Sequence, residues 1–290
     1  MSTLTLSLLL GLLSSFFGAL TNLLARQVMR FTSTRNYITL NFVLLTLMLL
    51  PFAPFFFQVR WSWQTFGLLA LVALLDGAAN YLYFLSFEIS DAVTASSLLS
   101  LSPFFTLLLL PLAGPAQGAL TARSVLGVVV IVAGIFTLNR AMQSAAPEGQ
   151  RPAWQLKKLL APTGASFFFG ASVYLIKYLF SQGLTNPYSY YLLRAAMISL
   201  MMLVLIRPDL KWVSRPALGL VTGRLALVIT QWMLLLYALD YGNPAVVKAV
   251  GDTSPLFVVA ISAAFLKERV TRSKLLGVAC ILIGLVLLTL

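Results

Sequence analysis

Apolar runs of about 20 residues alternate with short polar or Pro/Gly-bearing breaks along the whole chain. A helix rises about 1.5 Å per residue, so each run is long enough to cross roughly 30 Å of hydrocarbon. Cutting the chain at those breaks predicts ten helices, at 4–25, 36–57, 66–87, 91–112, 121–139, 158–180, 187–206, 216–238, 243–266 and 272–290. The runs are too long and too uniformly apolar for barrel strands, and backbone groups in lipid must be satisfied within their own segment. The expected fold class is therefore an all-α integral membrane protein with ten transmembrane helices. The first run has no basic stretch before it and no small-residue cleavage site after it, so it reads as a retained span rather than a cleaved signal.

The pattern also repeats. The polar stretch NRAMQSAAPEGQRPAWQLKK (139–158) falls mid-chain, and an offset of 152 places Ser102-Pro103 on Ser254-Pro255 and SSFFGA (14–19) on SFFFGA (166–171). LGVVVIVAGI (126–135) aligns with LGVACILIGL (276–285), matching Gly127 with Gly277 and Gly134 with Gly284. Glycines seven apart share a helix face and let backbones approach closely. The expected organisation is a first repeat at 1–140, a polar linker at 141–157 and a second repeat at 158–290. Each repeat holds five spans. Two odd-numbered repeats in one chain enter the membrane in opposite orientations, as in many secondary transporters.

The tail SPLFVVAISAAFLKERVTRSKLLGVACILIGLVLL resembles the end of the EamA domain of the drug/metabolite transporter superfamily. There a Pro-bearing helix runs into a Leu-x-Glu turn, which Glu268 fits, and then into a helix with glycines seven apart. The first repeat departs from it, since LPLAGPAQGAL carries no such glutamate. The resemblance spans both repeats. It implies a ten-helix bundle around a central cavity and transport of small metabolites, often export.

Charges inside spans narrow the candidate site, because each costs at least about 2.5–3.5 kcal/mol at a helix centre. The deep ones are Asp76, Lys177, Arg194, Arg224, Lys248 and Asp252. Lys177 and Arg194 lie within some turns of their helix ends, where snorkelling competes with a cavity role. Lys248 and Asp252 stand four apart, on one helix face. Pro255 has no N–H to give the Gly251 carbonyl, so the helix is expected to kink or open between them. The aligned positions of the first repeat are Ser96 and Ser100, where Pro103 makes the same kink without charge. Pro103, Gly251 and Pro255 are thus candidate hinges. Asp76, Asn80 and Tyr83 form one polar stripe, and Gln231 stands beside Trp232, the one tryptophan that does not precede a span. The expected substrate-binding set is Lys248, Asp252, Asp76, Asn80, Tyr83, Arg224, Gln231, Trp232, Lys177 and Arg194.

Composition changes the picture mainly by exclusion. The chain is 60% hydrophobic and 10% charged, with a mean hydropathy of +0.93. Its net charge of +12 comes from Lys and Arg scattered through short connections, which reads as membrane flanking rather than a nucleic-acid face. Histidine is absent and Cys280 stands alone, which removes imidazole and thiolate metal sites and His-based triads. There is no GxxxxGK[ST] loop, and the eight acidic residues are dispersed. No catalytic residue, cofactor or metal is expected; a membrane-embedded transferase is disfavoured, and a lipid flippase on the same fold stays open. The reading is a secondary transporter, in the export direction, of a small anionic or zwitterionic metabolite such as an amino acid. Proton coupling through Asp76 or Asp252 and facilitated diffusion both fit. The expected partners are that substrate and the bilayer of a bacterial inner membrane, with a monomer as the expected state. Basic residues crowd the connections on one side, leaving Arg60 and Arg123 on the side of the termini. By the positive-inside rule both termini lie outside the cytoplasm, whereas the family resemblance implies the reverse.

Overall fold

The computed structural model describes residues 3–289 except 30, 90–94, 96–97, 100, 110–120, 145–155, 207, 209–214 and 266–270. Ser96, Ser100, Glu268 and most of the polar linker lie outside the described residues. All regular secondary structure among those described is helical. The first half holds α1 (Thr3–Val28), α2 (Thr34–Leu49), α3 (Trp63–Ile89), α4 (Ser102–Leu109) and α5 (Ala122–Ser144). The second holds α6 (Leu156–Ser181), α7 (Pro187–Ile206), α8 (Arg215–Tyr241), α9 (Pro244–Gly251), α10 (Ser254–Phe265) and α11 (Arg272–Thr289).

Six of the helices are long and apolar enough to cross a membrane, among the described residues, and they are the first three of each half. Pro51 and Pro54 do not end the second span. A 3₁₀ turn, Leu50–Phe52, and a helical turn, Ala53–Phe56, carry it on, because proline is tolerated in the first turn of a helix. The ninth predicted span is two helices, not one. α9 starts at an Asn243 cap that accepts the Ala245 N–H at 3.0 Å, and α10 restarts at Ser254.

Helices pack between the halves more than within them. The most extensive pairings are α5 with α11, α1 with α8, α3 with α6 and α2 with α7. Exchanging the halves maps α1–α8 onto α6–α3 and each of the other two pairings onto itself, the signature of a pseudo-two-fold arrangement. A Cβ at Gly134 would lie 2.9 Å from the Gly277 carbonyl, and one at Gly284 would lie 2.8 Å from that of Gly127. Only glycine permits this approach. Because the early glycine of each helix faces the late glycine of the other, α5 and α11 run antiparallel.

One end of the bundle is tied. Residues 57–60 meet 184–186 through an antiparallel bridge from Val59 to Thr185, with Arg60 N–H donating to the Leu184 carbonyl at 2.9 Å. Gly183, at φ +60°, supplies the left-handed turn that this connection needs. At the opposite ends of α2 and α7, Arg35 donates from Nε and Nη2 to the Ile206 carbonyl. The outer surface is apolar, with Leu200, Val204 and Leu205 65–71% exposed, as lipid contact requires.

Candidate functional site

A cavity of about 110 Å³ lies between α1, α2, α3, α7, α8 and α9, with Phe169 of α6 and Leu99 also in its wall. That is comparable to the ~150 Å³ of a cavity that holds benzene, so it suits a small solute. Of the expected binding residues, Asn80, Tyr83, Arg194, Arg224, Gln231, Trp232, Lys248 and Asp252 line it, together with Gly251. Asp76, Lys177 and Pro103 do not.

The two charged residues outside the lining, Asp76 and Lys177, each have a physical reason for their place. Lys177 donates from Nζ to the carbonyls of Leu239 and Asp240 at 2.9 and 2.7 Å, at the C-terminal end of α8. A cation there satisfies carbonyls without intrahelical partners and complements the helix dipole. Asp76 is fully buried behind the cavity wall, where its Oδ2 accepts from Arg194 Nε and from the Tyr190 hydroxyl at 3.0 Å. It neutralises Arg194, which the sequence left between snorkelling and the cavity. Arg194 is only 2% exposed, so it does not snorkel.

Lys248 Nζ lies 3.0 Å from Asp252 Oδ1, one helical turn away. Helix α9 ends there: Asp252 N–H still donates to the Lys248 carbonyl, but Thr253 N–H turns back to Val250. Pro255 cannot donate to Gly251, and the Gly251 and Ser254 that flank the break both face the cavity.

Arg224 has a different environment. Its Nε donates to the Thr21 carbonyl at 3.3 Å, and Nη1 to the Tyr37 hydroxyl and Asn41 Oδ1 at 2.9 and 3.1 Å. Every one of these acceptors is neutral. Ion pairs among the described residues number two, Arg194–Asp76 and Lys248–Asp252, so Arg224 stands in the cavity wall at 3% exposure without a carboxylate.

Gln231 is held by α1, with Thr21 Oγ1 donating to its Oε1 at 2.7 Å and Ser14 Oγ to its carbonyl at 2.9 Å. Tyr83 donates to Asn22 Oδ1 at 2.7 Å, and Asn80 Nδ2 to the Asp76 carbonyl at 2.7 Å. Trp232 stacks on Tyr191 with ring centroids 6.1 Å apart, and the Arg194 guanidinium lies 4.6 Å from its centroid. Phe169 continues that wall to Lys248, whose Nζ is 5.8 Å from its ring. The aromatic surface thus runs between two cations.

Sequence reasoning missed Thr21, Asn22, Asn41 and Tyr191. Polar side chains inside apolar runs were the available signal, as was the tyrosine three residues before Arg194 on the same helix face.

The sequence model of the EamA-like transporter family matches residues 5–140 and 157–290. An uncharacterized protein of Methanocaldococcus jannaschii is 38% identical over 63 residues, which are 22% of this chain and 46% of that protein. The chain thus spans about half the length of the curated relative it matches. A solved crystal structure shares the fold over 98% of this chain and 96% of its own, with a TM-score of 0.74 at 14% identity.

Proposed function

The chain belongs to the EamA-like transporter family and is a multi-pass membrane transporter of the drug/metabolite type, and we propose that it carries a small metabolite with an anionic group, outward, by alternating access around this cavity. The observation that carries the reading is Arg224. A buried guanidinium with only neutral acceptors costs several kcal/mol of desolvation, and an anionic substrate group in the cavity supplies the missing counter-ion. Arg194 and Lys248 make no such demand, because Asp76 and Asp252 already balance them.

The mechanism follows the repeat. Ten spans in two inverted halves, 1–140 and 158–290 with the linker 141–157 between, are supported by the antiparallel glycine contact of α5 with α11. Rocking about the breaks at Pro103 and Pro255 exposes the cavity to either side in turn. Lys248 and Asp252 separate when substrate enters, Lys248 turning to the anionic group and Asp252 to a hydrogen-bond donor or a proton.

Binding to the purified full-length protein and counterflow in proteoliposomes test the charge assignment. Short carboxylates are expected to bind and alkylammonium ions of the same length are not. Arg224→Gln is expected to weaken carboxylate binding at least about tenfold, the loss of a charge-assisted hydrogen bond. Binding of the amines in preference to the acids overturns the reading.

A further inference from the structure

Two residues that line the cavity each bury a hydrogen-bonding group with no partner among the described residues, Nη2 of Arg194 and the hydroxyl of Tyr191. Both residues belong to the most buried class, Arg194 at 2% exposure and Tyr191 at 0%. They stand three apart on α7, hence on one face, and each is held in place. Asp76 grips Arg194 through Nε, and Asp76 is itself held by Tyr190. Tyr191 is stacked on Trp232, over which Arg194 also lies. Fixed side chains do not leave buried donors unsatisfied without a cost of about 1–3 kcal/mol each.

Resting on the anionic reading of the cavity, we propose that Arg194 Nη2 and the Tyr191 hydroxyl form a second subsite that accepts an uncharged oxygen of the substrate, making the cargo a monocarboxylate that bears a keto or hydroxyl group. The charge balance selects the class. Both ion pairs are internally neutral, so among the cations that line the cavity Arg224 alone is uncompensated and one negative charge closes the balance there. A zwitterion neutralises Arg224 only by carrying in an ammonium, and the carboxylates of Asp76 and Asp252 are already held by Arg194 and Lys248. A guanidinium N–H donates only, so the subsite takes an acceptor oxygen and rejects an ammonium group. Asp252 Oδ2 also lacks a partner, but it is an acceptor on a carboxylate that Lys248 already neutralises, so it takes no substrate oxygen. The aromatic faces of Trp232 and Phe169 pack the carbon chain between the two ends.

Calorimetry on the purified full-length protein, with propionate against lactate and pentanoate against levulinate, reads the subsite as a preference ratio. Each pair keeps the carboxylate and adds one oxygen. In wild type the oxygenated acid of at least one pair is expected to bind about tenfold tighter, the worth of one hydrogen bond to a charged donor. Tyr191→Phe keeps the ring and its stacking on Trp232, and is expected to bring that ratio down several-fold at an unaltered unfolding temperature. A wild-type ratio near one in both pairs, or a ratio that survives Tyr191→Phe, overturns the subsite while leaving the anionic reading standing. Binding of the acids that Arg224→Gln does not weaken overturns the anionic reading instead, and the subsite with it, as does the absence of binding by all four acids.

Discussion

The same Ser-Pro break occurs twice in this molecule, and its surroundings differ. In the first half, Pro103 leaves the Leu99 carbonyl without a backbone donor, and Ser166 Oγ lies 2.6 and 3.0 Å from the carbonyls of Leu98 and Leu99. Thr106 Oγ1 lies 3.3 Å from the Gly170 carbonyl, and Tyr174 donates to the Thr106 carbonyl at 2.6 Å. Helix α6 is thus stitched to α4 across the break. In the second half, α1 is the equivalent helix; it meets the break through Ser15 Oγ, 3.0 Å from Thr253 Oγ1, but leaves more room one turn on, at Gly18. A Cβ at Gly170 would meet the Ser102 carbonyl at 2.8 Å, whereas one at the matching Gly18 would find Ser254 Cβ only at 3.8 Å, with Gln231 Nε2 nearer at 3.1 Å. Gln231 and the cavity occupy that gap. A repeated fold element becomes a site where its partner helix leaves room at one glycine, and the ion pair of Lys248 and Asp252 lines the cavity that fills that room.

The largest effect expected from this comparison is at the ion pair. Lys248→Ala strands Asp252 in the cavity wall and is expected to lower unfolding stability by about 3 kcal/mol, since breaking a buried pair from one side leaves an uncompensated charge. Lys248→Met with Asp252→Leu removes both charges, as the first half does naturally, and is expected to recover most of that stability without recovering transport. Thermal unfolding and counterflow on the two variants separate the outcomes. Normal transport by the double variant would make the pair a packing feature and erase the functional difference between the halves.

Much of this architecture is legible in the sequence because lipid imposes strong rules. Runs of about 20 apolar residues predict the long helices within a few residues at each end, and α7 falls at 187–206 as expected. The glycine pairs 127/134 and 277/284 predict a close helix approach, since their spacing fixes one face. The local pair Lys248–Asp252 is likewise readable, being four apart on one helix. The partner of Arg194 is not. Asp76 lies 118 positions away, and which helices meet is decided by tertiary packing that periodicity does not encode. The neutral shell of Arg224 is hidden for the same reason, since Thr21, Tyr37 and Asn41 come from two other helices. What could have been inferred is that an acid and a base buried in different spans, neither with a local partner, need each other.

A smaller effect is expected at the matched glycines, and here the halves reverse. Gly170→Ala pushes a Cβ against the Ser102 carbonyl and the Thr106 nitrogen, at 2.8 and 3.0 Å, where backbone must move. Overpacking of this kind costs about 1–3 kcal/mol, so its unfolding transition is expected to drop clearly. Gly18→Ala meets the end of the Gln231 side chain and is expected to cost under about 1 kcal/mol while weakening substrate binding, because Gln231 lines the cavity. Equal destabilisation by the two would show that α1 packs on α10 as tightly as α6 packs on α4.

The smallest expected effect tests the stitch itself. Ser14 and Ser166 are repeat equivalents, and both donate across a helix contact, but to different acceptors. Ser166 Oγ has one proton to share among the Leu98 and Leu99 carbonyls next to the proline break and its own helix's Pro162 carbonyl, whereas Ser14 serves the carbonyl of Gln231 within a continuous helix. The Gln231 carbonyl keeps its own helical environment when Ser14 is truncated, so Ser14→Ala is expected to cost about 0.5 kcal/mol, the low end for a lost hydrogen bond. Leu99 has no backbone donor to fall back on, because the residue four ahead of it is Pro103. Ser166→Ala therefore leaves a buried acceptor unsatisfied and is expected to cost about 1–2 kcal/mol. Ser166→Cys restores a weak donor and should recover part of the loss, which a pure packing effect would not reproduce in a larger side chain. Measured unfolding free energies that rank Ser14→Ala at or above Ser166→Ala would mean that the first-half break is held by helix packing alone, not by the hydroxyl that covers it.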